Sequence, residues 1–440
     1  MKVCVVGLWH LGTVTAACLA SAGHEVVGLD FDSETVRKLQ AGQPPLYEPG
    51  LKELVQQGIA QGRLRFCSEV TDALPASEVV WVTYDTPVDE EDRADVNFVV
   101  DRINRLFPLL REGTLVLISS QLPVGTTRRL EKAYAELFPD KSVSFGYAPE
   151  NLRLGKAINA FTQPDRVVVG VRNPNDRQRV AQLFAPFTER MEWMSVESAE
   201  MTKHALNAFL ATSVTFINEI ATLCERVGAD AKEVERGLKS DARIGPRAYL
   251  SPGAAFAGGT LARDVLFLNQ IGESHHQPTQ LLSAVLARNE VHKEWSRHTL
   301  RSLLGDLHNQ KVAVWGLTYK PNTDTLRRSA SVELCAWLLQ QGAHVQAHDP
   351  VVKALPEKLS KRVELSPAPL AALVGAAALV VATEWPDYQS FSSESVVSAM
   401  SQLPVVVDAN RFLVKTLGSD PRIRYAAVGA PMNREDAKSA

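Results

Sequence analysis

Val3-Cys-Val-Val-Gly7 runs into Leu8-Trp9-His10-Leu11-Gly12, and about twenty residues on a second Val-rich run ends at Asp30. An apolar run stopped by a glycine and followed by a helical stretch is the strand–turn–helix opening of a βαβ unit, with the strand buried on both faces. Glycines occupy the first and last positions of a G-x-G-x-x-G fingerprint, and Trp9 holds the middle one. A helix starting near Leu11 would point its N–H groups and positive dipole end at a pyrophosphate. A carboxylate at Asp30 would accept hydrogen bonds from ribose hydroxyls and repel a 2′-phosphate, which favours NAD over NADP. On this reading Gly7, Trp9, His10, Leu11, Gly12 and Asp30 contact the cofactor. The same residues also fit a turn that binds nothing, with Asp30 capping its strand, because the middle glycine normally admits the phosphate.

Outward from this turn, short apolar runs at 3–6, 26–29, 79–83, 114–118, 142–145 and 167–169 alternate with amphipathic stretches, as in a parallel sheet. Between 198 and 227 apolar residues recur every three or four positions without a proline, which predicts one long helix. A second helical stretch is expected at 279–295, and strand texture resumes at 311–316, 343–347, 379–382 and 405–408. The fold class is therefore α/β, with two Rossmann-like parallel-sheet domains joined by a central all-α domain carrying a long helix. Boundaries are placed at 1–195, 196–300 and 301–432, and the polar tail 433–440 reads as disordered.

A chain of 440 residues is long enough for several cores, and an apolar fraction of 45% with 22% charged residues is that of a globular protein. The net charge of −3 and the lack of a basic run argue against nucleic acid or an anionic membrane surface as a partner. Five scattered cysteines without a C-x-x-C pair read as reduced thiols in a cytoplasmic protein, and no metal site is expected. No apolar run reaches about 18 residues, so membrane insertion is not expected.

Further along stand Gly42-Gln-Pro-Pro-Leu-Tyr-Glu-Pro-Gly50-Leu, Thr86-Pro87, Pro123-Val-Gly-Thr-Thr127, Ala148-Pro-Glu-Asn-Leu-Arg153 and Gln163-Pro-Asp-Arg-Val167. Ala199-Glu-Met-Thr-Lys203, Asn207-Ala-Phe and Asn218-Glu219 follow. Then come Asp241-Ala-Arg-Ile-Gly245, Pro252-Gly253, Ala255-Phe-Ala-Gly-Gly-Thr-Leu-Ala-Arg-Asp264, Gly316-Leu-Thr-Tyr-Lys320-Pro-Asn-Thr-Asp324 and Arg327. In this order and over nearly the whole chain, the motifs resemble those of the UDP-glucose/GDP-mannose dehydrogenase family.

The resemblance implies an enzyme that oxidises the C6 hydroxyl of a nucleotide-linked hexose with NAD, in the supply of sugars for polysaccharides. It implies a homodimer or higher homo-oligomer formed through the central helix, and a site in the cleft between the two sheets. By carry-over, Thr86, Pro87, Gln121 and Arg327 join the cofactor contacts. Leu152, Arg153, Arg243, Tyr249, Leu250, Gly253, Phe256 and Lys320 fall to the substrate, and Lys203, Asn207, Asp264, Glu150 and Thr260 to catalysis. Lys203 and Asn207, four apart on a helix, can reach one oxygen and stabilise an alkoxide, while Asp264 can position the water or lysine that removes the hydroxyl proton. Capping of a helix starting at Asp264 is the plain alternative for that residue. For Arg243 and Arg327 it is a surface salt bridge.

The chain departs from the family at the thiol that traps the aldehyde, where Thr260 stands, and at Gln121 and Leu154, where the family has threonine and glutamate. A threonine hydroxyl needs a dedicated base and forms an ester that is harder to cleave than a thioester. Thr260 is thus a weak nucleophile, a substrate contact or a space-filler. Three functional readings follow: a two-electron oxidation that stops at the carbonyl, a four-electron oxidation through the hydrated aldehyde, and a binding or regulatory paralogue without catalysis.

Overall fold

The computed structural model describes residues 1–89, 93–150, 152–257, 259–326, 329–401 and 403–431. Arg327 and the tail 433–440 lie outside the described residues. The chain divides into two compact units, Met1–Leu206 and Asn207–Ala440.

The first unit is built on eight strands: β1 (Lys2–Val6), β2 (Glu25–Leu29), β3 (Leu64–Cys67), β4 (Val79–Val82), β5 (Leu115–Ile118), β6 (Ser144–Tyr147), β7 (Val167–Val171) and β8 (Met191–Met194). Their order is β3-β2-β1-β4-β5-β6-β7-β8. Neighbours are parallel except β6 and β7, which pair antiparallel with Gly146 opposite Val171. The sheet is otherwise the parallel one expected. The chain re-enters beside β6 through the short helix Ala157–Thr162 rather than a full crossover, and a hairpin-like return reverses the strand. Val3 to Val6, all of Val79–Val82 and all of Leu115–Ile118 are buried, as continuous apolar strands covered on both faces should be.

The second unit carries β9 (Lys311–Trp315), β10 (His344–His348), β11 (Val363–Leu365), β12 (Ala378–Val381), β13 (Val405–Val407) and β14 (Arg424–Ala426), all parallel in the order β11-β10-β9-β12-β13-β14. In each unit the order reverses beside the first strand, β1 or β9. Such a switch point opens a crevice at the carboxyl ends of the strands. The second unit also contains helices Ala231–Ser240, Thr260–Ser274, Gln280–Lys293 and Trp295–Leu304.

The expected long helix spans Val196–Val227. Val196, Ala199, Glu200, Lys203, His204, Asn207, Ala208 and Ala211 are all buried, at spacings of three and four that define one face. By length and composition this helix is apolar enough to cross a membrane, although a core helix passes the same test. Its buried face is polar at four of these eight positions, and each of the four makes hydrogen bonds within the protein.

Candidate active site

At the first turn Gly7 adopts φ +94°, and a side chain there would meet the Tyr84 ring at 2.7 Å. Glycine is required on both counts. At Gly12 a Cβ would overlap the Gly7 carbonyl and lie 2.6 Å from the Thr83 hydroxyl, so the helix His10–Ser21 packs directly on its own strand turn. Trp9 caps that helix with φ −75° and ψ −151°, an extended conformation open to any residue, and its side chain is 48% exposed. The backbone conformation therefore asks for no glycine at the middle position. Leu11 is buried in the first turn.

Asp30, at the end of β2, accepts the Leu8 N–H at 2.7 Å on one carboxylate oxygen and the Asp32 N–H at 3.0 Å on the other. It does cap its strand, yet each oxygen keeps a further lone pair for a hydroxyl donor. Capping and ribose binding are compatible.

His10 pairs through Nε2 with Glu48 at 2.9 Å. Glu48 is 4% exposed and accepts N–H bonds from Gly155 at 2.7 Å and Ala157 at 2.8 Å, closing the N-terminus of helix Ala157–Thr162 from another segment. The proline-rich segment 42–50 is thus anchored to the turn by a carboxylate that sequence reasoning did not single out, although it lies inside a quoted motif.

Thr86 donates to the Gln121 carbonyl at 2.6 Å, and the half-buried Pro87 accepts the Asp95 N–H at 2.8 Å. Gln121 is buried. Leu152 donates its N–H to Glu150 Oε2 at 2.7 Å, and Arg153 is exposed. The Lys203 ammonium, 6% exposed, donates to the Glu150 carbonyl at 2.5 Å and lies 3.4 Å from Glu150 Oε1.

In the second unit the Asn207 amide donates to Asp264 Oδ2, both side chains being buried. Helix Thr260–Ser274 begins four residues before Asp264. The capping alternative is therefore corrected: Asp264 sits past the first turn, where the backbone N–H groups are already paired. Thr260 is the exposed first residue of that helix, after Gly259 at φ +99°.

Tyr249, Leu250, Gly253 and Phe256 line one cleft of about 660 Å³, with Glu384 and Asn410 on its wall. Burial pushes the Glu384 carboxyl above its ordinary value. The loop is held by amides: Asn289 brackets Phe256 through both its N–H and its carbonyl, at 3.0 and 2.9 Å. Asn218 accepts from Gly253 at 2.9 Å, Asn410 accepts from Ala254 at 2.7 Å, and the His292 ring nitrogen contacts the Gly253 carbonyl at 2.8 Å. Of these four, Asn289, His292 and Asn410 carried no local sequence signal. Arg243 lies apart from these lining residues, forked onto Asp241 at 3.0 and 2.7 Å with its side chain 89% exposed. Lys320 is half-buried on the loop after β9.

None of the five thiols is activated. Burial pushes Cys18 and Cys335 up to about 12 and raises Cys4, Cys67 and Cys224 as well. A thiol without thiolate character is a poor nucleophile.

Three consecutive stretches match the UDP-glucose/GDP-mannose dehydrogenase family: its NAD binding domain over residues 1–188, its central domain over 197–291 and its UDP binding domain over 313–415. The chain belongs to that family. The UDP-glucose 6-dehydrogenase of Pseudomonas aeruginosa is 36% identical over 98% of each chain, and that of Rhizobium meliloti is 35% identical over 98% of this chain and all of the other. The solved structure of a UDP-glucose dehydrogenase from Pyrobaculum islandicum superposes with a TM-score of 0.87 at 31% identity, covering 98% of each chain.

For a UDP-glucose/GDP-mannose dehydrogenase family member the cofactor is NAD, and the first turn fits it. The glycines at 7 and 12 hold strand and helix close, and the Asp30 carboxylate stands at the end of β2. The buried Tyr84 and Ser120 hydroxyls, just past β4 and β5, have no hydrogen-bond partner among the described residues. Polar groups at the carboxyl ends of strands next to a switch point are where such a ligand lies.

Proposed function

We propose that this protein oxidises the C6 hydroxyl of a nucleotide-linked hexose, with UDP-glucose as the first candidate, and that it releases the aldehyde after one two-electron step. The observation that carries this reading is the Asn207–Asp264 pair, buried and hydrogen-bonded, alongside an exposed threonine at 260 and five thiols pushed toward the neutral form. Bound NAD supplies the hydride acceptor. Asp264, oriented by the Asn207 amide, holds the water that takes the hydroxyl proton. Lys203, one helical turn from Asn207, offers an ammonium to the developing alkoxide. Asp30 and the turn Gly7–Gly12 hold the dinucleotide, with Thr86, Pro87 and Gln121 on the same strand ends. Leu152, Tyr249, Leu250, Gly253 and Phe256 contact the nucleotide sugar.

No thioester is formed on this route, because position 260 carries a hydroxyl in place of a thiol. The decisive measurement is NADH formed per sugar consumed, with the product identified by mass spectrometry over a panel of nucleotide sugars. One equivalent and an aldehyde are expected. Two equivalents and a uronic acid would instead establish the second reading, a four-electron oxidation through the hydrated aldehyde. Identity of 36% to a UDP-glucose 6-dehydrogenase over almost the full chain favours that second reading.

We further propose that the protein is a homodimer through the long helix. Phe209, Phe216 and Leu223 recur at seven-residue spacing and are 70%, 47% and 58% exposed, an apolar stripe of the kind that pairs helices.

A further inference from the structure

We propose that Glu200 and His204 are positioning residues that clamp the loop before helix Thr126–Leu137 onto the turn of the long helix that presents Lys203. The inference rests on the reading that Lys203 serves the sugar oxygen and that Gln121 borders the cofactor.

Glu200 has no exposed surface, and every group on its carboxylate is a donor: the Gly125 N–H at 2.6 Å, the Thr127 N–H at 3.0 Å and the Thr127 hydroxyl at 2.7 Å. The two N–H groups belong to the start of the twelve-residue helix Thr126–Leu137, where the backbone leaves donors unpaired and the dipole favours an anion. That helix has no cap from its own side chains, since Gly125 at φ +88° holds the capping position. Its cap comes from Glu200, 75 residues away in sequence. One turn on, His204 is fully buried and its Nε2 lies 3.0 Å from the Leu122 carbonyl, which requires that nitrogen to carry the proton.

Glu200 and His204 stand at i and i+4 on one face of the helix, with Lys203 between them. The loop they grip starts at Gln121, whose carbonyl accepts the Thr86 hydroxyl. Lys203 in turn holds the Glu150 carbonyl. One helical turn therefore ties together the loops after β5 and β6. Two charge-assisted bonds from backbone donors set the register of the first loop, and such bonds are shorter and stronger than neutral ones.

Glu200→Gln tests the clamp. The amide keeps the shape but turns an NH2 donor toward groups that are themselves donors. In the full-length protein we expect kcat to fall about tenfold and KM for NAD to rise about fivefold, with KM for the nucleotide sugar within twofold of wild type. A merely structural role would lower the melting temperature and leave the folded enzyme's KM for NAD unchanged, and that result overturns the proposal.

Should Glu200→Gln fail to fold, Thr127→Val and Thr127→Ser carry the test. The valine variant loses one donor and should raise KM for NAD about threefold, while serine keeps the hydroxyl and restores it. Equal values for both variants overturn the clamp. Lys203→Ala separates this inference from the reading beneath it: full kcat there removes the role of Lys203, whereas the KM for NAD of the Glu200 and Thr127 variants still decides whether the loop is clamped.

Discussion

Asp349 does in the second sheet what Asp30 does in the first. Each follows the second strand of its sheet and accepts, at 2.7 Å, the N–H of the residue after a left-handed glycine: Leu8 after Gly7 onto Asp30, and Leu317 after Gly316 onto Asp349. The sheets share one strand order up to the sixth strand. The two carboxylates differ in what else they hold. Asp349 is 5% exposed and also accepts from Thr318, Val351, Val352 and the Trp385 indole, whereas Asp30 accepts from Leu8 and Asp32. On the proposed reading, one geometry serves the dinucleotide in the first unit and a structural hub in the second.

Substitution should separate the two roles. Asp30→Ala is expected to weaken NAD about tenfold or more in calorimetric titration while leaving the melting temperature close to wild type. Asp349→Ala leaves several buried donors without an acceptor and should cost about 3 kcal/mol of stability, with NAD affinity retained. Equal effects of both on NAD binding would contradict this division.

Asn207→Leu and Lys203→Met address the chemical step. Loss of a group that stabilises developing charge lowers kcat by roughly 10²–10³-fold, and single-turnover kinetics at saturating NAD should show it. Asn207→Leu also strands the buried Asp264 carboxylate, so its unfolding free energy should drop by about 1–3 kcal/mol. Lys203→Met should keep NAD affinity.

Thr260→Cys places a thiol at the exposed N-terminus of a fifteen-residue helix, where thiol pKa values are lowered. We expect this variant to be alkylated by iodoacetamide far faster than wild type at neutral pH, because burial raises all five native thiols. If the two-electron reading holds, the substitution should move NADH yield from one equivalent per sugar toward two.

Burial lowers the His292 pKa from its ordinary 6.5, so the unfolded chain takes up that proton first as the pH falls. Its contribution to stability is complete above about 6.5 and is lost as pH drops from there through the lower folded-state value. His24 and His348 are shifted the same way for the same reason. Glu225 and Glu384, pushed up by burial, act in the opposite sense as pH rises above their ordinary 4.5. The comparison is therefore between wild type and His292→Gln: denaturant melts should show a shallower loss below pH 6.5 in the variant. Parallel curves would remove His292 from the account.

Phe209→Glu together with Phe216→Glu should convert a dimer to a monomer in light scattering, since two charges would be buried in an apolar contact. An unchanged mass would place any assembly elsewhere.

By itself the sequence determined the central strands, the long helix and the dinucleotide turn, because each is written in local pattern. Continuous apolar runs make strands covered on both faces, a three-to-four repeat makes the helix, and two spaced glycines make the turn. What only the tertiary structure decided begins at the sheet edges. The four strands without a sequence signal, β3, β8, β11 and β14, are the edges of the two sheets. An edge strand needs only three or four residues with one covered face, so Val363–Leu365 or Arg424–Ala426 shows no apolar run. The same holds for the carboxylates of Glu48 and Glu200 and the amides of Asn289 and Asn410. Their partners lie 33 to 156 residues away, and a hydrogen bond between distant segments leaves no periodicity in either one.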